Sequence, residues 1–247
     1  MKEVSMSDLL KVGAHFGHQT ARWNPKMKSY IFGDRDGIHI IDVRQTVSRL
    51  KEALEYIAKI TKDGSKVLFV GTKKQAKDLT KKAAEECTMP YVTERWLGGT
   101  FTNFGVIKKQ IKKLVDYEEK EKSDEFSHYT KKEQIEFHKE QERLARNVGG
   151  LRKLDKLPEC VFITDIVSDK LAVKEARSAG VPIVALVDTN GDPSLVNYPI
   201  PTNDDAIKVI EMMTKTVSET VKANYYEKAK PAEQQIVKAG QASGKKK

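Results

Sequence analysis

The chain has 247 residues, and its 39% hydrophobic and 32% charged residues allow a folded core beneath a highly charged surface. Its 44 Lys and Arg exceed its 35 Asp and Glu, and the net charge of +9 indicates a polyanionic partner, either nucleic acid or an acidic membrane face. No apolar run approaches the roughly 18 residues of a spanning helix, and the N-terminus lacks the apolar core of a signal peptide, so we expect a cytosolic protein.

The N-terminal segment pairs a short helix with two histidines. Residues 7–13 predict an amphipathic helix that Ser7 caps and Gly13 ends. His15 and His18 follow at a spacing that a metal site could use, but the nearby sequence offers no third ligand. We therefore predict no metal and interpret both histidines as hydrogen-bonded or RNA-contacting residues.

The loop over residues 14–28 shows no clear period and mixes aromatic with cationic side chains. Cations bind phosphates and aromatic rings stack on bases, so the loop is a candidate RNA contact. Trp23 could stack on a base, or it could wedge between the loop and the core. The cationic candidates are Arg22, Lys26 and Lys28.

The next stretch predicts two strands, each followed by a helix. Residues 38–41 form the first strand, and residues 43–61 carry apolar side chains at helical spacing. Residues 66–70 form the second strand, which leads into a helix over residues 73–86.

The turn before that second helix, Gly71-Thr72-Lys73, resembles part of a phosphate loop. The full GxxxxGK[ST] pattern is absent and no GxGxxG occurs, so neither a triphosphate nor a dinucleotide site is predicted. A helix N-terminus beside Lys73 and Lys74 would still suit one backbone phosphate, although it could also be a plain solvated helix start.

A loop over residues 95–103 carries two adjacent glycines. Gly98 and Gly99 allow positive φ or a close backbone approach, and Arg95 is a further candidate RNA contact. Residues 62–113 hold twelve Lys and Arg against five Asp and Glu, so most of the chain's excess positive charge lies in this region.

Residues 104–149 are almost solidly charged and contain no proline. Two narrow apolar seams on either side of a turn-like break predict an antiparallel helical hairpin inserted in the sheet domain. Such an arm contacts a partner or supports the domain, unless it is a solvated insertion without function. Asn103 could cap its first helix, and Lys108 and Lys109 are candidate RNA contacts. The seams consist of Ile107, Ile111, Leu114, Phe137, Leu144, Val148 and Leu151.

Residues 158–191 predict a strand, a helix and a second strand that form a right-handed crossover unit. The apolar runs 161–164 and 183–187 suit strands buried on both faces of a parallel sheet. Between them, Ser168 could cap a helix with a narrow alanine face, and Gly180 could end it in a left-handed conformation.

Both of these strands end in an acid, at the edge where open α/β sheets bind ligands. An enzyme could use Asp165 and Asp188 there, with Asp42 after the earlier strand. No second catalytic group lies beside either acid, so we interpret both as acceptors for free N–H groups in the turns. Cys87 and Cys160 lack CxxC partners, and we expect no disulfide, no metal and no cofactor.

The rest of the chain predicts one more helix, capped by Asn203, and then a Lys-rich stretch. We expect residues 227–247 to be a disordered basic tail. The predicted organisation is one discontinuous α/β domain, 1–103 plus 150–226, interrupted by the hairpin at 104–149.

Several of these motifs together resemble the bacterial small ribosomal subunit protein two family. The resemblance covers residues 7 to about 224, and the matching segments include residues 188–193 and 201–207. Its first landmark is LLKVGAHFGH at 9–18, with Gly13, His15 and Gly17, followed by RWNPKM at 22–27. The other two are RWLGG at 95–99 with Asn103, and residues 158–182 with Asp165, Asp169, Glu175 and Gly180.

The resemblance implies a flavodoxin-like parallel sheet flanked by helices, a protruding helical hairpin and no enzymatic activity. It implies a structural protein between the head and the body of the small subunit, on the solvent side, that holds small-subunit ribosomal RNA. The implied protein partners are neighbouring small-subunit proteins, with the large RNA-binding first protein as a candidate, and no membrane is implied. The tail departs from the family pattern, because it ends in lysines where many relatives carry acids.

Two rival interpretations come from other classes. An enzyme could use the acids at the sheet edge on a nucleotide, but the missing glycine fingerprints and the missing nucleophile–base pair argue against it. A protein-binding scaffold could instead use only the charged arm.

Overall fold

The computed structural model describes residues 4–123, 126 and 128–225, so the predicted tail at 227–247 lies outside the described residues. None of the helices in these ranges is long and apolar enough to cross a membrane. The helices are α1 (Met6–Val12), α2 (Val43–Lys62), α3 (Lys77–Glu86), α4 (Phe104–Glu121), α5 (Lys131–Val148), α6 (Lys170–Ser178) and α7 (Ile207–Asn224). The strands are β1 (Phe16–Gln19), β2 (Ile31–Arg35), β3 (Ile38–Ile41), β4 (Val67–Val70), β5 (Tyr91–Val92), β6 (Cys160–Ile163), β7 (Ile183–Val187) and β8 (Tyr198–Pro201).

Five strands form a parallel sheet in the order β5-β4-β6-β7-β8, which is the flavodoxin-like order. Every residue of β4, β6 and β7 is buried, as continuous apolar runs require when helices cover both faces of a sheet. The predicted crossover unit is confirmed, since β6, α6 and β7 follow one another and Val161 pairs with Ile183. The predicted α/β class is therefore confirmed.

Two apolar cores lie on opposite faces of this sheet. On one face, α2, α3 and α7 cover strand residues such as Phe69 and Phe162. The ring centroids of these two residues lie 5.6 Å apart in a T-shaped arrangement. On the other face, α6 buries Ala172 and Ala176 against the strands. Small side chains let that helix lie close to the sheet, as the alanine pattern predicts.

The glycine stops of two helices are confirmed, but the serine cap predicted for the first helix is wrong. Gly13 and Gly180 have φ of +83° and +69°, the left-handed geometry that ends α1 and α6. The cap of α1 is Ser5, which accepts from the backbone N–H of Asp8 in a capping box. Ser7 lies inside the helix.

Two further side-chain caps are also wrong. Ser168 donates its hydroxyl to Asp165 at 2.6 Å instead of capping α6. Asn103 does occupy the position before α4, but its side chain makes no capping hydrogen bond. Both residues therefore shape the turn before a helix without bonding the helix's free N–H groups.

Two helices begin later than predicted. The helix expected from Lys73 begins at Lys77, because residues 73–76 form a turn first. The last helix begins at Ile207, and Asn203 accepts from the backbone N–H groups of residues 205 and 206 in the turn that leads into it.

Three strands form a separate antiparallel sheet in the order β1-β3-β2. The strand predicted at 38–41 is confirmed as β3, but it lies in this small sheet and not in the parallel one. The small sheet, and the loop between its strands β1 and β2, are joined to the large sheet at Thr189, in the loop after β7. That residue accepts from the His18 N–H through its hydroxyl at 2.8 Å and from the Asn24 N–H through its carbonyl at 2.7 Å.

Helices α4 and α5 pack against each other along the predicted apolar positions. Leu114, Leu144 and Val148 are buried in one cluster between them. Tyr117 and Phe137 stack at 4.5 Å towards the far end of the pair. That this pair forms an arm inserted in the sheet domain stays a prediction.

The contact between the two sheets depends on a residue without a side chain. A Cβ atom at Gly17 would lie 2.5 Å from Cγ2 and 2.8 Å from Oγ1 of Thr189. Gly17→Ala should therefore force the sheets apart and lower the free energy of unfolding by about 2 kcal/mol. Chemical denaturation measures this loss. Gly33→Ala in β2 is the control, because its Cβ would meet nothing within 4 Å; equal losses in both variants would contradict the prediction.

Candidate nucleic-acid interface

Loops from four strands meet at the carboxyl edge of the parallel sheet. They follow β4, β6, β7 and β8; the last three carry acids that are almost completely buried, and the loop after β4 carries Lys73. Asp165 is 3% exposed, and Asp188 and Asp204 are each 1% exposed. Buried carboxylates need hydrogen bonds or countercharges, and the edge supplies both.

Lys73 is the countercharge at the centre of this edge. Its Nζ lies 2.6 Å from Asp205, 2.8 Å from Asp204 and 3.2 Å from Asp165. Burial lowers the pKa of Lys73, but the carboxylates outweigh it and hold that pKa well above its ordinary value. Burial raises the pKa of Asp204 to about 7, and the neighbouring carboxylates add to that effect.

His18 brings a second cation to the same edge. Its Nδ1 lies 3.2 Å from Asp188 and its Nε2 lies 3.5 Å from Asp205. The hydrogen bond to Asp188 raises the pKa of His18 against the effect of burial. His15 differs, because burial lowers its pKa, and its Nδ1 is buried without a hydrogen-bond partner in the described part of the chain.

The fold brings two acids to His18, whereas His15 is not part of this group. One ligand atom each from His18, Asp188 and Asp204 lies within 4.8 Å of the others, so these residues could hold a metal ion. An imidazole and two carboxylates suit several divalent metals. The same carboxylates also bond Lys73 and His18, so the cluster contains countercharges of its own.

Asp165 and Asp188 act as acceptors for turn N–H groups. Asp165 accepts from the backbone N–H of Val167 at 2.7 Å and of Ser168 at 3.1 Å. Asp188 accepts from the backbone N–H of Thr189 at 2.5 Å and of Asp204 at 3.3 Å. This geometry supports the structural interpretation of both acids over the catalytic one.

Five of the cations singled out in the sequence point away from this buried network. They are exposed and make no ion pair within the described residues. Arg22 and Lys28 lie in the first loop, Lys74 follows β4, Arg95 follows β5 and Lys109 lies on α4. Cations without partners inside the protein are free to contact phosphates.

The other cationic candidates have contacts within the chain. Lys26 binds Asp192 at 2.7 Å and Ser194 at 2.9 Å, which fastens the first loop to the loop after β7. Lys108 lies over the Phe104 ring at 5.2 Å. Each would have to give up or share its contact to bind a phosphate.

Trp23 takes an intermediate position between the two alternatives open for it. Its ring packs beside His39 at 5.1 Å, yet 36% of the residue remains exposed. Trp23 therefore packs on the small sheet and keeps part of its side chain exposed to solvent.

The loop at 95–103 is held by Glu175, a buried carboxylate on α6. Its two oxygens accept from the backbone N–H of Gly99 at 2.7 Å and of Phe101 at 2.9 Å. Gly99 has φ of +90°, whereas a Cβ at Gly98 would meet nothing within 4 Å, so only the second glycine is required by geometry. The sequence offered no signal for this bond, because Glu175 lies more than 70 residues from the loop.

The first loop and this loop share an apolar anchor. Met27 from the first and Trp96 and Phe101 from the second are buried in one cluster on the α6 face of the sheet. Arg22 and Arg95 are therefore carried by loops that rest on the same core, although they are far apart in sequence.

The fold and this edge define a class of protein. Within the described residues, the acids bond turns and neighbouring cations, and no nucleophile stands beside a general base. The exposed groups of the edge include Asp205, which binds Lys73, and Lys74, which forms no ion pair with a described residue. The fold and this edge therefore define an α/β protein whose buried acids have structural roles and which, in the described part of the chain, keeps unpaired cations at its surface.

Comparison with known proteins gives the particular family. The family model for ribosomal protein S2 matches residues 9–224. The small ribosomal subunit protein uS2 of Fusobacterium nucleatum subsp. nucleatum is 47% identical over 222 residues, which are 90% of each chain. The chain therefore belongs to the ribosomal protein S2 family, whose members are structural, non-enzymatic proteins of the small ribosomal subunit. The resemblance found in the sequence is confirmed.

Removing the Glu175 carboxylate should leave a buried N–H group at Phe101 and a partly buried one at Gly99 without partners. We expect Glu175→Ala to lower the free energy of unfolding by about 3 kcal/mol. Denaturant titration measures the loss, and hydrogen exchange should show faster exchange at Gly99 and Phe101. Glu142→Ala, on the exposed surface of α5, is the control. A loss no larger than that of the control would contradict the assigned role.

Burial raises the pKa of Asp169 to about 6, although hydrogen bonds from Thr72 favour its charged form. A carboxyl group with a raised pKa binds its proton more tightly in the folded state. It therefore costs stability as the pH rises from about 4 to about 6. We expect Asp169→Asn to remove this contribution, so that the free energy of unfolding falls less over that range. Parallel pH dependences in the variant and the parent protein would refute this prediction.

Proposed function

We propose that the chain is a structural component of the small ribosomal subunit that binds small-subunit ribosomal RNA through the exposed cations around the carboxyl edge of its sheet. The proposed contacts are Arg22, Lys28, Lys74, Arg95 and Lys109, with Trp23, Lys26 and Lys108 beside them. Lys73 has a structural role in this proposal, because three carboxylates already surround its ammonium group.

The observation that carries the proposal is the separation of charge between the interior and the surface. Five acids are buried in the described residues, whereas no Lys or Arg of that region is. The buried acids are Asp165, Asp169, Glu175, Asp188 and Asp204. The solvent-facing surface is therefore more positive than the net charge of +9 suggests.

Such a surface would bind RNA by releasing condensed counterions from phosphates, and affinity would fall steeply as salt is added. Structured RNA is recognised largely through its backbone and 2′-hydroxyl groups, which exposed Lys and Arg side chains can reach. Anchoring of the first loop and of the 95–103 loop on a shared apolar cluster fixes the positions of these cations before RNA binds. That fixed arrangement lowers the entropic cost of binding.

The family membership supports a finer placement. We propose a position between the head and the body on the solvent side of the subunit, with neighbouring small-subunit proteins as further partners. The large RNA-binding first protein of the subunit is one candidate among them. The lysine-ending tail at 227–247 lies outside the described residues and contributes positive charge by its sequence.

Neutralising two free cations of the first loop tests the proposal. We expect Arg22→Gln with Lys28→Gln to weaken binding to a transcript of small-subunit ribosomal RNA about tenfold near 0.1 M salt. The slope of log affinity against log salt should fall by about 1 to 2, because up to two phosphate contacts are lost. Filter binding over a salt series measures both quantities.

The control variant is Lys59→Gln with Lys62→Gln, which removes the same charge from exposed positions at the end of α2. Its affinity should fall less, and its salt slope should change less. If the two double variants bind alike, the first loop is not a contact. If the unmodified protein shows no salt-dependent binding, the proposed function fails.

A further inference from the structure

A cavity of about 480 Å³ lies between α3, β5 and the end of α5, away from the buried acids of the carboxyl edge. Four cations line it, and they come from two distant parts of the chain. Lys77 and Lys81 lie on α3, and Arg146 and Arg152 lie in and after the last turn of α5. None of the four was singled out by the sequence, which shows them as scattered surface charges.

The cavity keeps an excess of positive charge after its own ion pairs are formed. Its acids are Asp78 and Glu94, and Glu118 beside it pairs with Arg152, so four cations face three carboxylates and leave a net charge of +1. Lys77 binds Glu94 at 2.9 Å, and Arg152 forms a two-pronged pair with Glu118 on α4. Lys81 and Arg146 are exposed and form no ion pair with any described residue.

The wall of the cavity also leaves room for close approach. Gly149 and Gly150 line it, and a Cβ at Gly149 would meet nothing within 4 Å. Gly150 is tightly packed instead, because a Cβ there would collide with the backbone and the ring of Tyr91. Gly150 therefore lets the end of α5 pack against β5, and Gly149 adds no side chain to the wall of the cavity.

The charge of the α4–α5 pair favours an anion at this end and not at the other. The two ends that join the sheet, residues 104–113 and 139–149, carry seven Lys and Arg against two Asp and Glu. Residues 114–138 carry four Lys and Arg against eight Asp and Glu. A polyanion is therefore attracted to the cavity end of the pair and repelled by the far end.

We infer that this cavity is a second RNA contact, in which Lys81 and Arg146 bind backbone phosphates. The inference rests on the proposed RNA-binding function and adds a site to it. Arg146 can offer a phosphate two parallel N–H donors, and Lys81 offers a point charge from the opposite wall. Lys77 and Arg152 remain tied to their carboxylates and hold the two walls in position. An RNA strand bound here would contact α3 and the α4–α5 pair at once.

The test is binding of Lys81→Gln with Arg146→Gln to a transcript of small-subunit ribosomal RNA over a salt series. We expect affinity near 0.1 M salt to fall about tenfold and the salt slope to fall by about 1 to 2. Lys81→Arg with Arg146→Lys keeps both charges and should bind within about twofold of the parent protein. Thermal melts show whether the variants remain folded, and both substituted positions are exposed.

Two comparisons decide the outcome. Lys59→Gln with Lys62→Gln removes equal charge from α2, which packs over β8 at the opposite side of the sheet from β5. If the cavity variant binds no more weakly than this control, while the Arg22 and Lys28 variant does lose affinity, the cavity is not a contact and the proposed function stands. If neither the cavity variant nor the first-loop variant loses affinity relative to the control, both the inference and the proposed contacts fail.

Discussion

The ammonium group of Lys73 joins its own loop to two acidic loops that would otherwise repel each other. Asp165 follows β6, whereas Asp204 and Asp205 follow β8, and the lysine itself follows β4. Two of these carboxylates are almost fully buried, and a buried charge without a partner is among the most costly features that a fold can contain. The loops can therefore meet at the carboxyl edge only while the lysine lies between them.

A second buried carboxylate, Glu175 on α6, pairs with no cation among the described residues and accepts from two backbone N–H groups instead. In both places, buried carboxylates bind groups of other loops and so hold those loops together. They also remove negative charge from the surface, so a chain with many acids can still present cations to a polyanion. If the proposed contacts bind RNA, stability and RNA affinity are linked, because an edge that lost its internal pairs would expose acids beside those contacts.

The parts of the fold that the sequence predicted are those decided by local pattern. Continuous apolar runs identified β6 and β7, and the alanine face and Gly180 identified α6 between them. The small antiparallel sheet was missed because β1 is four residues long and only partly buried, so it lacks an apolar period. The predicted first residues and caps of several helices were wrong for a related reason. Polar side chains near a helix can bond another loop, as Ser168 bonds Asp165, and the sequence does not show which partner is nearer.

The candidate site divides in the same way. Arg22 and Lys28 could be named from the sequence, because exposed cations in an irregular loop require nothing else from the chain. The structural role of Lys73 could not be predicted from the sequence, because its partner Asp204 lies 131 residues away and reaches it only in the folded protein. Arg146 and Lys81 are the converse case, because folding brings them to one cavity and neither forms an ion pair with a described residue. The charge of a sequence thus indicates the sign of its partner, but the fold decides which cations are used internally and which remain for that partner.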